Sequence, residues 1–199
     1  MKKVEKVTGH AIPLNRANVD TDQIIPAKHL KRIERTGYGP FAFESWREDP
    51  DFVLNDPAYG GAKLLISRHN FGSGSSREHA VWAVEGLGVE ALIAPSFADI
   101  FKNNCMKVGI LTVELPEEDV DYLMARSEEL PDAGIEVDLQ AQTVRTTDGS
   151  WERPFEISPF ARWRLLNGFD DIGMTLAYDT DIEAFERQRP NRLPVTTAD

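Results

Sequence analysis

Asn70-Phe71-Gly72-Ser73-Gly74-Ser75-Ser76-Arg77-Glu78-His79 is the stretch on which the reading of this chain turns. It follows the apolar run Lys63-Leu64-Leu65-Ile66-Ser67 and precedes a helical pattern over 78–87, so glycines, serines and an arginine sit where a strand becomes a helix. At such a junction free backbone N–H groups and the positive end of the helix dipole converge on one spot, which suits an anion. Arg77 adds a fixed cation with forked donor geometry. Two readings of the hydroxyls stand side by side. In one, Ser75 and Glu78 form a capping box, and Gly72 and Gly74 serve only positive φ. In the other, a serine acts as base or nucleophile, its alkoxide stabilised by amides, helix terminus and guanidinium. The capping reading leaves Arg77 and the second serine without a purpose. Gly72-Ser73-Gly74 approaches the nucleophile elbow of a hydrolase without completing it, and spacing alone does not place His69 or His79 beside a serine.

Outward from this turn, residues 62–115 alternate strands (63–67, 89–94, 108–114) with helices (78–87, 98–104), which implies parallel pairing through crossovers. Upstream, 7–12 reads as a strand, and Pro26 opens a helix that runs to Thr36 and stops at Gly37. Downstream, an acidic helix over 117–126 leads to a meander of strands at 135–139, 143–147 and 151–157, with Asp148-Gly149 turning the last pair. A helix over 159–166 closes at Asn167-Gly168, and a last one spans 181–188. The expectation is an α/β fold with a mixed sheet core and flanking helices, one domain over 1–189, and a frayed tail over 190–199.

With 199 residues, 41% hydrophobic and 28% charged, the chain has the composition of an ordinary globular domain. No apolar run approaches the ~20 residues that span a bilayer, and the opening Met1-Lys2-Lys3-Val4-Glu5-Lys6 lacks a secretory apolar stretch, so a cytoplasmic location is expected. A net charge of −11 argues against general affinity for nucleic acid or anionic membrane. Cys105 is the only cysteine, so no intrachain disulfide forms and no cysteine-based metal centre assembles from this chain alone. Its expected role is a small, partly buried side chain.

Asn18-Val19-Asp20-Thr21-Asp22-Gln23-Ile24-Ile25-Pro26 begins like a calcium loop, but its sixth position is Gln23 rather than glycine and its twelfth is His29 rather than glutamate. Either a polar turn that caps the next helix or a rigid loop lining a pocket accounts for it. On the expected helix, Lys28, Lys31, Arg32 and Arg35 share one face, readable as a solvated surface, a funnel for a small polyanion or a docking surface. In Ala94-Pro95-Ser96-Phe97-Ala98-Asp99-Ile100-Phe101-Lys102-Asn103-Asn104, Ser96 reads as a helix cap and Phe97, Ile100 and Phe101 as core, with Asn103 and Asn104 available to orient a neighbouring loop.

Together, Asn18 to Pro26, Gly74-Ser75-Ser76-Arg77-Glu78-His79 and Ala94 to Phe101 resemble the aconitase superfamily. Leu30 to Gly39, Asp51-Phe52-Val53-Leu54-Asn55 and Asn167 to Leu176 narrow the resemblance to the family of bacterial 3-isopropylmalate dehydratase small subunits. It covers nearly the whole chain apart from the tail. The resemblance implies a swivelling β/β/α domain, a lid over an active site carried on another chain. It implies a large-subunit partner whose cysteines hold a [4Fe–4S] cluster, with no metal in this chain, in keeping with the lone Cys105. The implied reaction interconverts 2-isopropylmalate and 3-isopropylmalate through isopropylmaleate, in leucine biosynthesis. By match to the family motif, Ser75 is the implied catalytic base, Arg77 and Ser76 the substrate-binding pair, and His29-Leu30-Lys31 the segment tuning substrate choice. Asp20, Thr21, Asp22, Gly72, Gly74 and Glu78 are the implied lining and supporting residues. His29 stands where relatives often carry an aromatic. Two alternatives stay open: the same chemistry on citraconate, methylmalate or homocitrate, and a stand-alone anion-binding regulatory module.

Overall fold

Two four-residue strands open the chain, β1 (Lys6–Gly9) and β2 (Ala11–Leu14), and they belong to different sheets. The single strand expected over 7–12 is therefore broken at His10. The His10 carbonyl accepts from both Lys63 and Leu64 amides (3.2 and 3.3 Å), and a Cβ on Gly9 would stand 2.8 Å from the Lys63 Cβ. This close crossing forces the chain to change partners. The computed structural model describes residues 1–176 and 178–189.

β2 is the edge strand of a four-stranded parallel sheet completed by β3 (Leu64–Ser67), β4 (Ala91–Ala94) and β5 (Leu111–Glu114). Its edge position is what lets it carry Pro13. β3 and β4 are buried on both faces, which is why they read as unbroken apolar runs rather than alternating ones. Leu65 and Leu92 point to one cluster with α2 (Glu78–Gly86) and α3 (Asp99–Val108). Leu64, Ile66, Ala91 and Ile93 point to another, shared with α4 (Glu117–Glu129) and the second sheet. That sheet is antiparallel, ordered β1, β6 (Ile135–Asp138), β7 (Thr143–Thr146), β8 (Glu152–Pro154). The two β layers of the expected β/β/α fold are thus one parallel and one antiparallel sheet, with helices outside the first. α5 (Pro159–Asn167) starts at a Ser158 cap and ends at Gly168 with φ +69°, as its sequence signals require.

Three further expectations need correction. No helix runs from 26 to 36: a four-residue α1 (Thr21–Ile24) is followed only by a 3-10 turn at Ala27–Lys31, which buries no residue. A short helix without an apolar face to bury has nothing to hold it, so favourable propensity does not prevail. The basic stripe scatters accordingly: Lys28 pairs with Glu44 (2.7 Å), Arg32 lies over the Phe41 and Tyr38 rings, and Arg35 lies over Trp82. Second, α3 continues to Val108, because Phe101 and Cys105 are buried along it, and Gly109 at φ +93° ends it; Val108 is not strand. Third, α6 (Asp171–Leu176) stands ahead of α7 (Asp179–Arg187), where the sequence pattern gave no helix. The tail over 190–199 lies outside the described residues.

Candidate active site

Loops leaving the carboxyl ends of β2, β3 and β4 meet at one end of the parallel sheet, where open α/β sheets place their ligands. Backbone bonds lace them together. The Val19 carbonyl accepts from Gly72 and Ser73 (2.8 and 3.1 Å), Thr21 N–H donates to the Ser73 carbonyl (2.9 Å), and the Phe71 and Ala98 amides donate to the Ser96 and Phe71 carbonyls (3.2 and 3.0 Å). Ser96, expected as a helix cap, instead accepts the Asn70 N–H on its hydroxyl (2.9 Å) and pins the turn after β3; the N-cap residue of α3 is Ala98, with no side-chain cap bond. Gly72 sits at φ +78°, and a Cβ there would lie 2.1 Å from Phe101 Cγ. Gly74, at φ +92°, passes over Asp20 and Thr21. Gly72 is needed both for its positive φ and for the close approach to Phe101, Gly74 for its positive φ.

The capping box foreseen for Ser75 and Glu78 is absent. α2 begins at Glu78 with Arg77 as its N-cap residue and no side-chain cap bond. The box forms one loop earlier. Gln23 N–H donates to Asp20 Oδ1 (2.8 Å) and Asp20 N–H to Gln23 Oε1 (2.9 Å), so the loop before Pro26 does cap its helix. Ser75 is therefore released from backbone duty. Its carbonyl is held by the buried Thr21 Oγ1 (3.0 Å), while among the described residues neither the Ser75 nor the Ser76 hydroxyl has a hydrogen-bond partner. Both serines are exposed.

Ser75, Ser76, Arg77, Gly72, Gly74 and Thr21 line one cavity of about 280 Å³, whose other wall is α3 with Asp99, Ile100, Phe101 and Asn104. The α3 wall is what sequence reasoning missed. Local pattern offers Asn104 only as a possible loop orienter, and its 7% exposure is a long-range outcome that such a pattern does not announce. Arg77 is the one cation among the residues lining the cavity, and its Nη1 is paired with Asp22 Oδ1 across the α1–α2 junction. Asp20 acts behind the wall as the α1 cap, and Glu78 lines the neighbouring hollow instead. His29, Leu30 and Lys31 do not line this cavity: His29 Nε2 meets Glu44 Oε2 at 2.8 Å, and its ring stacks on Phe41 at 4.3 Å.

His79 packs against Tyr38 and Trp82, where burial pushes its imidazole below the ordinary value, and among the described residues neither His69 nor His79 bonds to Ser75 or Ser76. Cys105 is fully buried in α3, and burial pushes its thiol well up, which removes it as nucleophile or ligand. Among the described residues no three His, Cys, Asp or Glu side chains come together as metal ligands. An iron–sulfur cluster does not fit the donor set of this chain. The cavity thus brings Arg77 and the unbonded serine hydroxyls together at a helix start, a donor set of the kind that suits an anion.

Comparison with known proteins places this architecture among aconitase C-terminal domains, whose family model matches residues 1–118. The LeuD_N model matches 121–159, and a model described as the C-terminal domain of the 3-isopropylmalate dehydratase small subunit matches 171–197. The 3-isopropylmalate dehydratase small subunit of Rubrobacter xylanophilus is 59% identical over 194 residues, 98% of each chain. That of a Parafrankia species is 52% identical over 189 residues, 95% of this chain and 96% of that one. A crystal structure of 3-isopropylmalate dehydratase from Methanocaldococcus jannaschii superposes with a TM-score of 0.64 at 25% identity, over 91% of this chain and 99% of that chain. The chain belongs to the 3-isopropylmalate dehydratase small-subunit family.

Proposed function

We propose that this chain is the small subunit of a 3-isopropylmalate dehydratase, a hydro-lyase of leucine biosynthesis that works only when joined to a large subunit. The observation that carries the proposal is the Ser75 hydroxyl: exposed in a cavity, without a bonding partner among the described residues, beside Arg77 at the uncapped start of α2. Isomerisation removes a proton from one carbon and a hydroxyl from its neighbour, then adds them back with positions exchanged. Ser75 takes the carbon-bound proton as its alkoxide and returns it. The α2 N-terminus and the Arg77 charge lower the cost of that alkoxide. Arg77 grips a substrate carboxylate through its remaining N–H groups, and Ser76 orients the same group. His29-Leu30-Lys31 reach the substrate's apolar side only if their turn leaves Glu44, so their part in specificity belongs to the assembled enzyme. The cluster resides on the large subunit and, when bound there, supplies Lewis-acid chemistry that this chain lacks.

The test is reconstitution. The chain alone is expected to turn over neither isomer and to bind 2-isopropylmalate only weakly by calorimetry, whereas the chain with its cluster-loaded large subunit interconverts the two. Tight diacid binding by the isolated chain, together with a reconstituted pair that prefers methylmalate or homocitrate or stays inert, would overturn the assignment.

A further inference from the structure

We infer that the exposed apolar faces of α6 and α7 are the surface by which this chain docks on its large subunit, an inference that rests on the small-subunit reading. Neither helix buries a single residue. Ile172, Leu176 and Phe185 are 72%, 64% and 70% exposed. Tyr178, Ile182 and Phe185 fall at i, i+4 and i+7, which aligns them as one stripe. Helices of six and nine residues are not stable on propensity alone, so these faces call for a cover.

The start of α6 is fixed rather than loose. The buried Arg164 donates Nε to the Phe169 carbonyl (2.9 Å) and pairs with Asp171 (2.7 Å), while the Met1 ammonium donates to the Gly168 carbonyl (3.2 Å). From that anchored base, the apolar side chains are presented outward.

Three observations identify the occupant. Ile172 lines a hollow of about 320 Å³ with Arg35, Glu78 and Asn104, and Asn104 also lines the Ser75 cavity. The apolar face therefore runs into the rim of a site whose missing chemistry must arrive on another chain. The aconitase C-terminal domain match ends at 118, whereas 171–197 matches a domain described as the small subunit's own. The segment thus goes with a domain that exists as a separate chain and has no peptide tether to its partner. Finally, Asp179, Asp181, Glu183 and Glu186 flank the stripe, against Arg187. A groove that is apolar in its floor and lined with Lys and Arg at its edges complements this face. A second copy would set acid against acid.

The test uses full-length chain and purified large subunit. Leu176→Asp and Phe185→Asp are expected to leave the melting temperature of the isolated chain unchanged and to weaken large-subunit affinity about tenfold or more each, as for interface anchors. Turnover at saturating large subunit stays within about threefold, because neither residue belongs to the site. Without any substitution, adding large subunit should slow amide exchange over 171–187. Affinities within twofold of wild type, unchanged exchange in that segment, or variants that only abolish self-association would each overturn the docking surface. A wild-type chain that binds large subunit while these readouts fail leaves the small-subunit reading standing; no binding at all removes both.

Discussion

Ser75→Ala separates a catalytic hydroxyl from a structural one, because the geometry gives different magnitudes for the two roles. A serine that caps a helix contributes about 1 kcal/mol, and its loss would lower the melting temperature of a chain this size by roughly 2–4 °C. Ser75 makes no such bond: the cap residue of α2 is Arg77, and the Thr21 hydroxyl holds the Ser75 carbonyl, which alanine keeps. The expected stability change is therefore under about 0.5 kcal/mol, as for an exposed side chain. A positioned general base, in contrast, contributes about 10² to 10⁴ in rate, or about 3–5 kcal/mol of barrier. The assay is the initial rate of isopropylmaleate hydration by the reconstituted pair, followed through loss of the conjugated diacid, beside a thermal melt of the isolated chain. Ser76→Ala, on the same turn, serves as the comparison and should lose less in kcat than Ser75→Ala. A Ser75→Ala enzyme with kcat within about fivefold of wild type would refute the assignment. So would a melting temperature lowered by roughly 3 °C with an activity loss no larger than that of Ser76→Ala.

Gly72→Ala should destabilise the fold by about 2–5 kcal/mol, since it adds positive-φ strain to a contact that would bring its Cβ within 2.1 Å of Phe101. Gly61→Ala, at φ +76° with nothing within 4 Å, carries only the strain of about 1–2 kcal/mol, and equal urea midpoints for the two variants would contradict this. The Ala141 amide (2.8 Å) and, after opposing desolvation, Lys6 hold Asp138 below the usual carboxylate range. A depressed folded pKa contributes stability above the unfolded value that is lost as pH falls through the folded one, so Asp138→Asn should cost stability at pH 7, and the cost should shrink as pH falls below the usual carboxylate range. Urea midpoints from pH 7 downward check it, and a gap that persists undiminished at low pH would count against it.

The strand–turn–helix alternation from Leu64 to Glu114 was legible because each element carries its own signal: apolar runs, a glycine-rich turn, a glycine stop. What could not be read locally was which interaction wins when two fit the same residues. Ser75-x-x-Glu78 and Asp20-x-x-Gln23 both satisfy capping-box spacing, and only the second forms: Thr21 holds the Ser75 carbonyl, and Arg77 rather than Ser75 stands at the cap of α2. The helix expected after Pro26 failed for want of a buried face, and α6 escaped notice because six residues with Gly173 among them are too few to set up a helical period. In the site, the turn residues were visible, while the α3 wall was not: Asn104 and Asp99 reach the cavity through sheet topology.

The same topology accounts for a site that is rigid yet unfinished. Its three loops are fastened by backbone bonds and by Thr21 and Ser96, so the backbone that carries Ser75 is fixed while its hydroxyl stays unbonded among the described residues. Its charge is incomplete. Arg77 is already met by Asp22, and Asp99 stands on the opposite wall, so a dicarboxylate entering this cavity alone faces two carboxylates and one shared guanidinium. An anion site with that balance grips a diacid poorly until a second source of positive charge closes over it. α6 reaches the cavity's rim through the hollow that Ile172 and Asn104 share, so a chain docked on the surface inferred above would be placed to bring that charge. If Ser75 is the base and Arg77 the carboxylate grip, as proposed, assembly and catalysis follow from one feature: the positive charge that this cavity lacks has to come from the chain that docks against it.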